Sequence, residues 1–242
     1  MYQHLFFDLD HTLWDFEKNS EATMFKIYED FKLADIGIPN FETYFKSYCI
    51  HNDILWERYR NGFIKRTELR WKRMWLTLLD FGIKDHALSL KISEVYLDIL
   101  PTNTHLMPGA IEILEHCKGR YNMHLITNGF ETTQQMKLKY SGIDHYFEAL
   151  ISSEKSMSMK PKKEIFDFAL QTTGATLNQS IMIGDALAID VLGAKNVGMD
   201  QVYYNPNKIP HTEQPTYEVA HLAELKNIFI VPAHDKIHKT IT

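Results

Sequence analysis

Side chains suited to phosphoryl transfer occur at four separate points of the chain. Near the amino end, Asp8 and Asp10 stand two residues apart, so that one carboxylate can attack phosphorus while the other serves as general acid and base. The remaining candidates, in chain order, are Thr127, Lys160, Asp185 and Asp190. This set predicts covalent catalysis on a phosphomonoester, in which an aspartyl-phosphate at Asp8 divides one difficult hydrolysis into two easier steps.

The negative charge of this set predicts a bound cation. Like charges 4 Å apart repel by about 1 kcal/mol in water and about 4 kcal/mol near a protein surface, and Lys160 alone does not offset four carboxylates and a phosphate. A site built from carboxylate oxygens and a phosphate suits Mg²⁺. We expect Asp8 and Asp185 to be its side-chain ligands, with Lys160 steadying the nucleophile and the transferred phosphoryl group.

Short apolar runs place these residues at the ends of predicted strands. Leu5-Phe6-Phe7 stops at Asp8, as a buried strand does where it opens into a site. The predicted strands cover about 5–7, 123–126, 149–151, 180–183 and 201–204, and the helices among them cover about 110–118, 131–140, 162–173 and 186–196. This alternation predicts an α/β fold with a doubly wound parallel sheet. Ligands bind beyond the carboxyl ends of such strands, where distant acids can meet.

A helical pattern between about Asn19 and Leu100 predicts a second domain. We expect residues 1–15 and 101–242 to form the α/β core and residues 16–100 to form an inserted cap of three or four helices. The two crossings, near Trp14-Asp15 and in 101–108, would then serve as the hinge. The weak pattern after Pro206 leaves the elements of the tail unassigned.

Four motifs, in the same order, resemble those of the haloacid dehalogenase superfamily of hydrolases. They are Asp8-Leu9-Asp10-His11-Thr12, Thr127-Asn128-Gly129, Lys160-Pro161, and Gly184-Asp185 with Asp190. Each motif alone occurs often by chance, whereas four on the expected elements do not. Two positions depart from the family's pattern. Ala186 stands where a small hydroxyl residue is common, and Ser156-Met157-Ser158-Met159 replaces a glycine-containing approach to the lysine.

The resemblance implies roles for the residues of these motifs. The backbone carbonyl of Asp10 would be a third metal ligand, and Asp190 would lie in the layer behind the ligands. We expect Thr12 to orient its loop by hydrogen bonding. The motif Thr127-Asn128-Gly129 would hold the phosphate oxygens. Because the dehalogenases of the superfamily lack the second aspartate, the presence of Asp10 favours a phosphatase.

The inserted cap resembles those of superfamily members that act on small molecules. The nearest likeness is to the pyrimidine 5′-nucleotidases that hydrolyse noncanonical nucleotides. This likeness is carried by four stretches of the chain, namely residues 55–62, residues 126–130 with Gln134-Gln135, residues 151–154, and the segment that begins at Lys160-Pro161 and ends at Ile165-Phe166-Asp167. Phe63 and Lys65, beside the turn at Asn61-Gly62, are the candidate substrate-binding residues of the cap. A core aromatic ring and a solvated charged face are common alternatives at such positions.

Composition narrows the class of protein further. The 242 residues include 26 Lys and Arg against 31 Asp and Glu, and the net charge of −5 disfavours a nucleic acid polymer as partner. Cys49 and Cys117 lack the spacing of a metal site or a disulfide framework. We expect no exported leader and no membrane span. The sequence thus predicts a cytoplasmic monomer or homodimer that acts on a small-molecule phosphate ester.

Other functions fit the same residues. A sugar-phosphate or phosphoglycolate phosphatase, or a phosphomutase, would share the core motifs and differ in the cap. A catalytically silent module that binds phosphate for regulation would keep the fold, although a binder has little need for Asp10. The leading interpretation is a Mg²⁺-dependent 5′-nucleotidase that prefers pyrimidine nucleotides.

Overall fold

Six parallel strands form one sheet in the computed structural model of the chain, which describes residues 2–230. The strands are β1 (His4–Phe7), β2 (Asn122–Thr127), β3 (Ala149–Ser152), β4 (Ser180–Gly184), β5 (Asp200–Tyr204) and β6 (Tyr217–Val219). Their order is β3-β2-β1-β4-β5-β6, and every neighbouring pair is parallel. The predicted α/β parallel sheet is therefore confirmed. Strand β6 lies in the tail left unassigned above, and the part of the predicted core at 231–242 lies outside the described residues.

The central strands are continuous apolar runs because the sheet buries both of their faces. Leu5, Phe6 and Phe7 of β1 are fully buried, and Phe6 packs in a core cluster with Met182 of β4 and Ile126 of β2. Strands β2 and β3 are added on one side of β1, whereas β4, β5 and β6 are added on its other side. The strand order therefore reverses between β1 and β4. This reversal is where a doubly wound sheet opens a crevice for ligands.

Ten α-helices lie in the described part of the chain. They are α1 (Phe16–Asp30), α2 (Phe41–Arg60), α3 (Arg66–Asp80), α4 (His86–Ile99), α5 (Ala110–Cys117), α6 (Glu131–Tyr140), α7 (Ser153–Ser156), α8 (Lys163–Thr173), α9 (Leu192–Asn196) and α10 (Leu225–Ile228). Short 3₁₀ turns cover Leu33–Ile36, Leu100–Thr102, Asp144–Tyr146, Leu177–Gln179 and Leu222–Glu224, and a π-helical turn covers Leu187–Val191. Of the described helices, none has both the length and the apolar character needed to cross a membrane.

The chain divides into two compact units. Residues 2–14, 106–128 and 145–230 form the α/β unit, whereas Asp15–His105 and Gly129–Asp144 form the helical unit. The helical unit thus contains α6, which the sequence analysis had assigned to the core between two strands. Helix α6 packs against the 3₁₀ turn Leu100–Thr102, and Phe130, which directly precedes α6, is buried in a cluster with Leu55 of α2 and Leu69 of α3. These contacts join α6 to the helical unit, and the domain bounds of 1–15 with 101–242 and of 16–100 stay a prediction.

Side-chain caps fix where three of the helices begin. Asp15 accepts a hydrogen bond from the Lys18 backbone N–H at 3.1 Å, and Asn40 accepts one from Thr43 at 2.9 Å. Asp85 does the same at the start of α4. Each cap satisfies a backbone donor that lacks a partner within the first turn of its helix. Three of the four long helices between residues 15 and 105 therefore begin at residues whose side chains cap the first turn.

We expect the buried imidazole of His124 in β2 to make stability depend on pH. Nε2 of His124 lies 3.0 Å from Nδ1 of His4. Burial and the neighbouring His4 together lower the pKa of His124 to about 4. The unfolded chain therefore binds a proton between about pH 6.5 and pH 4 that the folded chain does not. Stability is present above this window and falls by up to about 3 kcal/mol as the pH drops through it.

Urea unfolding of the wild type and of His124→Gln between pH 4.5 and pH 7 measures this effect. The variant should lose the corresponding part of the pH dependence. His145→Gln is the matched control, because His145 is exposed and its replacement should leave the slope unchanged. Parallel pH profiles for wild type and His124→Gln would contradict the assignment.

Candidate active site

Three acidic side chains meet at the carboxyl ends of β1 and β4. Asp8 follows β1 directly, and its backbone N–H donates to the Ile183 carbonyl at 2.8 Å, which continues the pairing with β4. Carboxylate oxygens of Asp8, Asp185 and Asp190 all lie within 4.8 Å of one another. Thr127, the last residue of β2, is buried at the same edge of the sheet. The strand ends thus bring together residues that are far apart in sequence.

Lys160 joins two of these carboxylates from a buried position. Its Nζ lies 2.5 Å from Oδ1 of Asp8 and 2.7 Å from Oδ1 of Asp190, and it also donates to the Ile126 carbonyl at 2.6 Å. Only 1% of the Lys160 side chain is exposed. A cation held by three acceptors in so dry a place has little freedom to move. It fixes Asp8 with one carboxylate oxygen engaged.

Asn128 holds the backbone of Lys160 in place. Its side-chain Nδ2 donates to the Lys160 carbonyl at 2.9 Å, and its Oδ1 accepts from the Lys160 N–H at 2.8 Å. Because its side-chain amide is occupied in this way, Asn128 has its backbone N–H left to contact phosphate oxygens, and that contact stays a prediction. Gly129 belongs to the helical unit, where an added Cβ would lie 2.5 Å from the buried side chain of Gln134.

The turn after Asp8 carries Asp10 and Thr12. Leu9 accepts backbone hydrogen bonds from both Leu13 and Trp14, so the chain closes tightly around the half-buried Asp10. The fully buried hydroxyl of Thr12 donates to Oδ1 of Asp185 at 2.9 Å and accepts from the Asp185 N–H at 3.1 Å. One hydroxyl thereby orients both the side chain and the backbone of Asp185.

A widened helical turn presents Asp190 to Lys160. The π-helical turn Leu187–Val191 replaces the start of the regular helix predicted from Ala186 onward. Oδ2 of Asp190 accepts from the Ala186 N–H at 3.1 Å, so both of its oxygens are engaged. Its side chain also passes so close to Gly184 that an added Cβ would lie 2.3 Å from Oδ2. Sequence reasoning had not given Gly184 this role, although its place beside Asp185 in the motif was a signal.

Burial and like charge determine the protonation of the acids. Burial raises the pKa of Asp8 well above its ordinary value, and the carboxylates of Asp190 and Asp185 add to this effect while Lys160 opposes it. Burial and Asp190 raise the pKa of Asp185 to about 6. Burial alone would lower the pKa of Lys160, but Asp190 and Asp8 raise it above its usual value. Protons and a cation therefore compete for Asp8 and Asp185, which favours cation binding at higher pH.

The donor set fits a hard divalent cation. All the clustered ligand atoms are carboxylate oxygens, and three carboxylates against one lysine leave an excess of two negative charges when all are ionised. Asp190 is engaged at Oδ2 by the Ala186 N–H and is paired at Oδ1 with the Lys160 cation, which favours Asp8 and Asp185 as the side chains that could hold an ion. This agrees with the preference of Mg²⁺ for one or two carboxylates together with phosphate and water.

The two candidate residues of the cap lie in the helical unit. Phe63 follows the turn at Asn61 and is 71% exposed, which removes the alternative that it belongs to the core. Lys65 precedes α3, and its backbone N–H donates to Glu68 at 3.2 Å while its side chain is exposed. Their contact with substrate stays a prediction.

We expect Thr12→Val to weaken binding of Mg²⁺ by about tenfold or more, because residues that orient a metal ligand typically contribute 10–100-fold to affinity. The valine has nearly the same volume but supplies neither hydrogen bond to Asp185. Thr12→Ser keeps the hydroxyl and is the matched control. Isothermal titration with Mg²⁺ measures the difference, and equal affinities for Thr12→Val and Thr12→Ser would contradict the role given to this hydroxyl.

Comparison with known proteins agrees with this geometry. The chain is 30% identical over 232 residues to pyrimidine 5′-nucleotidase YjjG of Escherichia coli (strain K12), covering 93% of this chain and 96% of that protein. It is 31% identical to pyrimidine 5′-nucleotidase PynA of Streptococcus pneumoniae (strain ATCC BAA-255 / R6), covering 90% and 91%. The crystal structure of the HAD-hydrolase YfnB from Bacillus subtilis bound to magnesium matches with a TM-score of 0.86 at 26% identity, covering 95% of this chain and 99% of that chain.

A family model matches most of the chain. The model for haloacid dehalogenase-like hydrolases matches residues 2–198, a range that includes every acid of the cluster together with Lys160. The resemblance inferred from the four motifs is therefore confirmed. The chain belongs to the haloacid dehalogenase-like hydrolase family.

Proposed function

We propose that the protein is a phosphatase that hydrolyses small phosphomonoesters through an aspartyl-phosphate on Asp8. The observation that carries this proposal is the buried Asp8 carboxylate, held by Lys160 at 2.5 Å and clustered with two further acids where the strand order reverses. A carboxylate fixed at one oxygen can attack phosphorus with the other. Lys160 then balances negative charge that develops during the transfer.

The two half-reactions follow from the residues of the first motif. Asp8 forms a bond to phosphorus as the ester P–O bond breaks, and the leaving alkoxide takes a proton from Asp10. Asp10 next removes a proton from water, which attacks the phosphorus of the aspartyl-phosphate and frees inorganic phosphate and Asp8. Thr127, the last residue of β2, would hold phosphate oxygens through its hydroxyl. Bound Mg²⁺, held by Asp8, Asp185 and the Asp10 carbonyl, would neutralise charge on the phosphate.

The substrate class in this proposal is the nucleoside 5′-monophosphates, with a preference for pyrimidines. Two relatives that match over at least 90% of this chain carry the name pyrimidine 5′-nucleotidase. The cap stretch at 55–62 and the candidates Phe63 and Lys65 belong to the helical unit, the part in which phosphatases that share the core motifs are expected to differ. Cys49 and Cys117 are both free thiols, which suits a reducing compartment.

Release of inorganic phosphate from a panel of metabolites, with and without Mg²⁺, tests the proposal. We expect dUMP and dTMP to give higher kcat/KM values than sugar phosphates or phosphoglycolate, and removal of Mg²⁺ to abolish turnover. A preference for sugar phosphates would overturn the substrate class but keep the chemistry. Tight binding of esters without release of phosphate would instead favour a silent regulatory module.

A further inference from the structure

The loop before Lys160 contains an apolar residue whose backbone adopts an unfavourable conformation. Met157 has φ 52° and ψ 25°, in the left-handed region that L side chains rarely adopt, and it is 89% exposed. Ser156 Oγ lies 3.0 Å from the carbonyl oxygens of both Ser152 and Ser158. These contacts hold the turn through its neighbours, and none of them uses the Met157 side chain.

Neither the backbone nor the packing of the protein favours methionine at this position. Among residues 2–230, eight of the twelve positions with positive φ are glycine, which meets no steric cost there. The other exceptions are His11, Lys32 and Lys208, which are polar. Met157 is also the most exposed of the large hydrophobic residues in the described part of the chain. The side chain thus gains nothing from the fold that a glycine would lack.

Met157 lies close to the reacting groups along the chain. It precedes Lys160 by three residues, so their Cα atoms are at most about 11 Å apart. Helix α7, which this loop follows, contacts the residue after β2, because Ser153 Oγ donates to the Asn128 carbonyl at 3.2 Å. Through Lys160, whose Nζ contacts Asp8, the loop is connected to the side chain that is expected to react with phosphate. A leaving group that extends from a phosphate at Asp8 toward this loop would meet an exposed, flexible methionine.

We infer that Met157 determines specificity by contacting an aromatic ring in the leaving group of the substrate, as a pyrimidine base would provide. This inference rests on the proposed function and names a contact in the α/β unit rather than in the cap. The thioether is polarizable and unbranched, so it adapts to ring faces and edges. Such contacts favour ring-bearing esters over esters of small alcohols, which do not extend to the loop.

Steady-state kinetics of two variants test the contact. Met157→Gly removes the side chain and relieves the left-handed backbone, whereas Met157→Leu keeps apolar bulk. For Met157→Gly, we expect KM for dUMP, dTMP and p-nitrophenyl phosphate to rise about three- to tenfold relative to KM for glycerol phosphate, with smaller changes in kcat. Met157→Leu should keep most of the preference. Lys32→Gly also places glycine at a left-handed position, but in the helical unit. It should change KM neither for the ring-bearing esters nor for glycerol phosphate.

Each outcome separates this inference from the proposed function. If the wild type cleaves p-nitrophenyl phosphate but not nucleotides, the nucleotide assignment fails while the ring comparison still tests Met157. If turnover is absent, the dissociation constants of the same esters are measured for the wild type and for Met157→Gly, and their ratio between ring-bearing and ring-free esters replaces the ratio of KM values. The inference would be overturned if the ratio of KM for ring-bearing esters to KM for ring-free esters were the same in Met157→Gly as in the wild type. A melting temperature of Met157→Gly below that of the wild type would also overturn it, because a packed side chain would then explain the methionine at this position.

Discussion

Replacement of Asp8 by Asn is expected to lower kcat by roughly 10³-fold or more, because the amide cannot form the aspartyl-phosphate. Asparagine has nearly the same shape, and Asp8 is a buried carboxylate whose pKa burial raises, so the variant should fold. Release of inorganic phosphate measures turnover. Acid quenching with a radiolabelled ester should leave label on wild-type protein and none on Asp8→Asn.

The matched control for this experiment is Asp35→Asn. Asp35 is an exposed acid in a short turn of the helical unit, and its replacement should leave kcat within about twofold, since surface substitutions of this kind are close to neutral. Label transferred to another residue of Asp8→Asn, or turnover of this variant at the wild-type rate, would exclude Asp8 as the nucleophile.

Lys160→Met should cost both activity and stability. The methionine fills most of the space but leaves the buried carboxylates of Asp8 and Asp190 without their cation. Removing one partner of a buried ion pair typically lowers the free energy of unfolding by about 3–5 kcal/mol. We also expect kcat to fall by roughly 10²–10³-fold, as it does when one positioned electrostatic group is lost.

Lys163→Met is the matched control, because Lys163 is a nearby lysine whose ion pair with Asp167 is exposed. An exposed pair contributes at most about 1 kcal/mol, so this variant should be nearly as stable as the wild type. Urea unfolding without metal measures both variants. Addition of Mg²⁺ should restore more stability to Lys160→Met than to wild type, since the ion neutralises the same carboxylates. Equal stability of the two variants would contradict the role of Lys160.

The sequence was sufficient to locate the acids because each follows a signal that acts locally. Apolar runs end at Asp8 and just before Asp185, and parallel strands bring such ends to one edge of a sheet. The pairing of Thr12 with Asp185 was less visible, since 173 positions separate them. Only the expectation that Thr12 orients a loop pointed toward it.

Other features depend on tertiary contacts that leave no local pattern. The π-helical turn at Leu187–Val191 adds one residue to a helix whose composition is ordinary. Strand β6 is three residues long with two of them exposed, too short for a period of two to be recognised. Asn128 carries the polarity of a phosphate ligand, yet its side chain pairs with the backbone of Lys160.

The assignment of Gly129–Asp144 to the helical unit matters for anyone who wishes to exchange substrate specificity by grafting. The polypeptide passes between the units at four peptide bonds rather than two, after Trp14, His105, Asn128 and Asp144. A chimera that swaps only the insert at 16–100 would separate Phe130 from its native neighbours Leu55 and Leu69 and leave an unmatched apolar seam. Transplanting both segments together keeps that seam intact, so recombination libraries built on this scaffold should treat them as a single cassette.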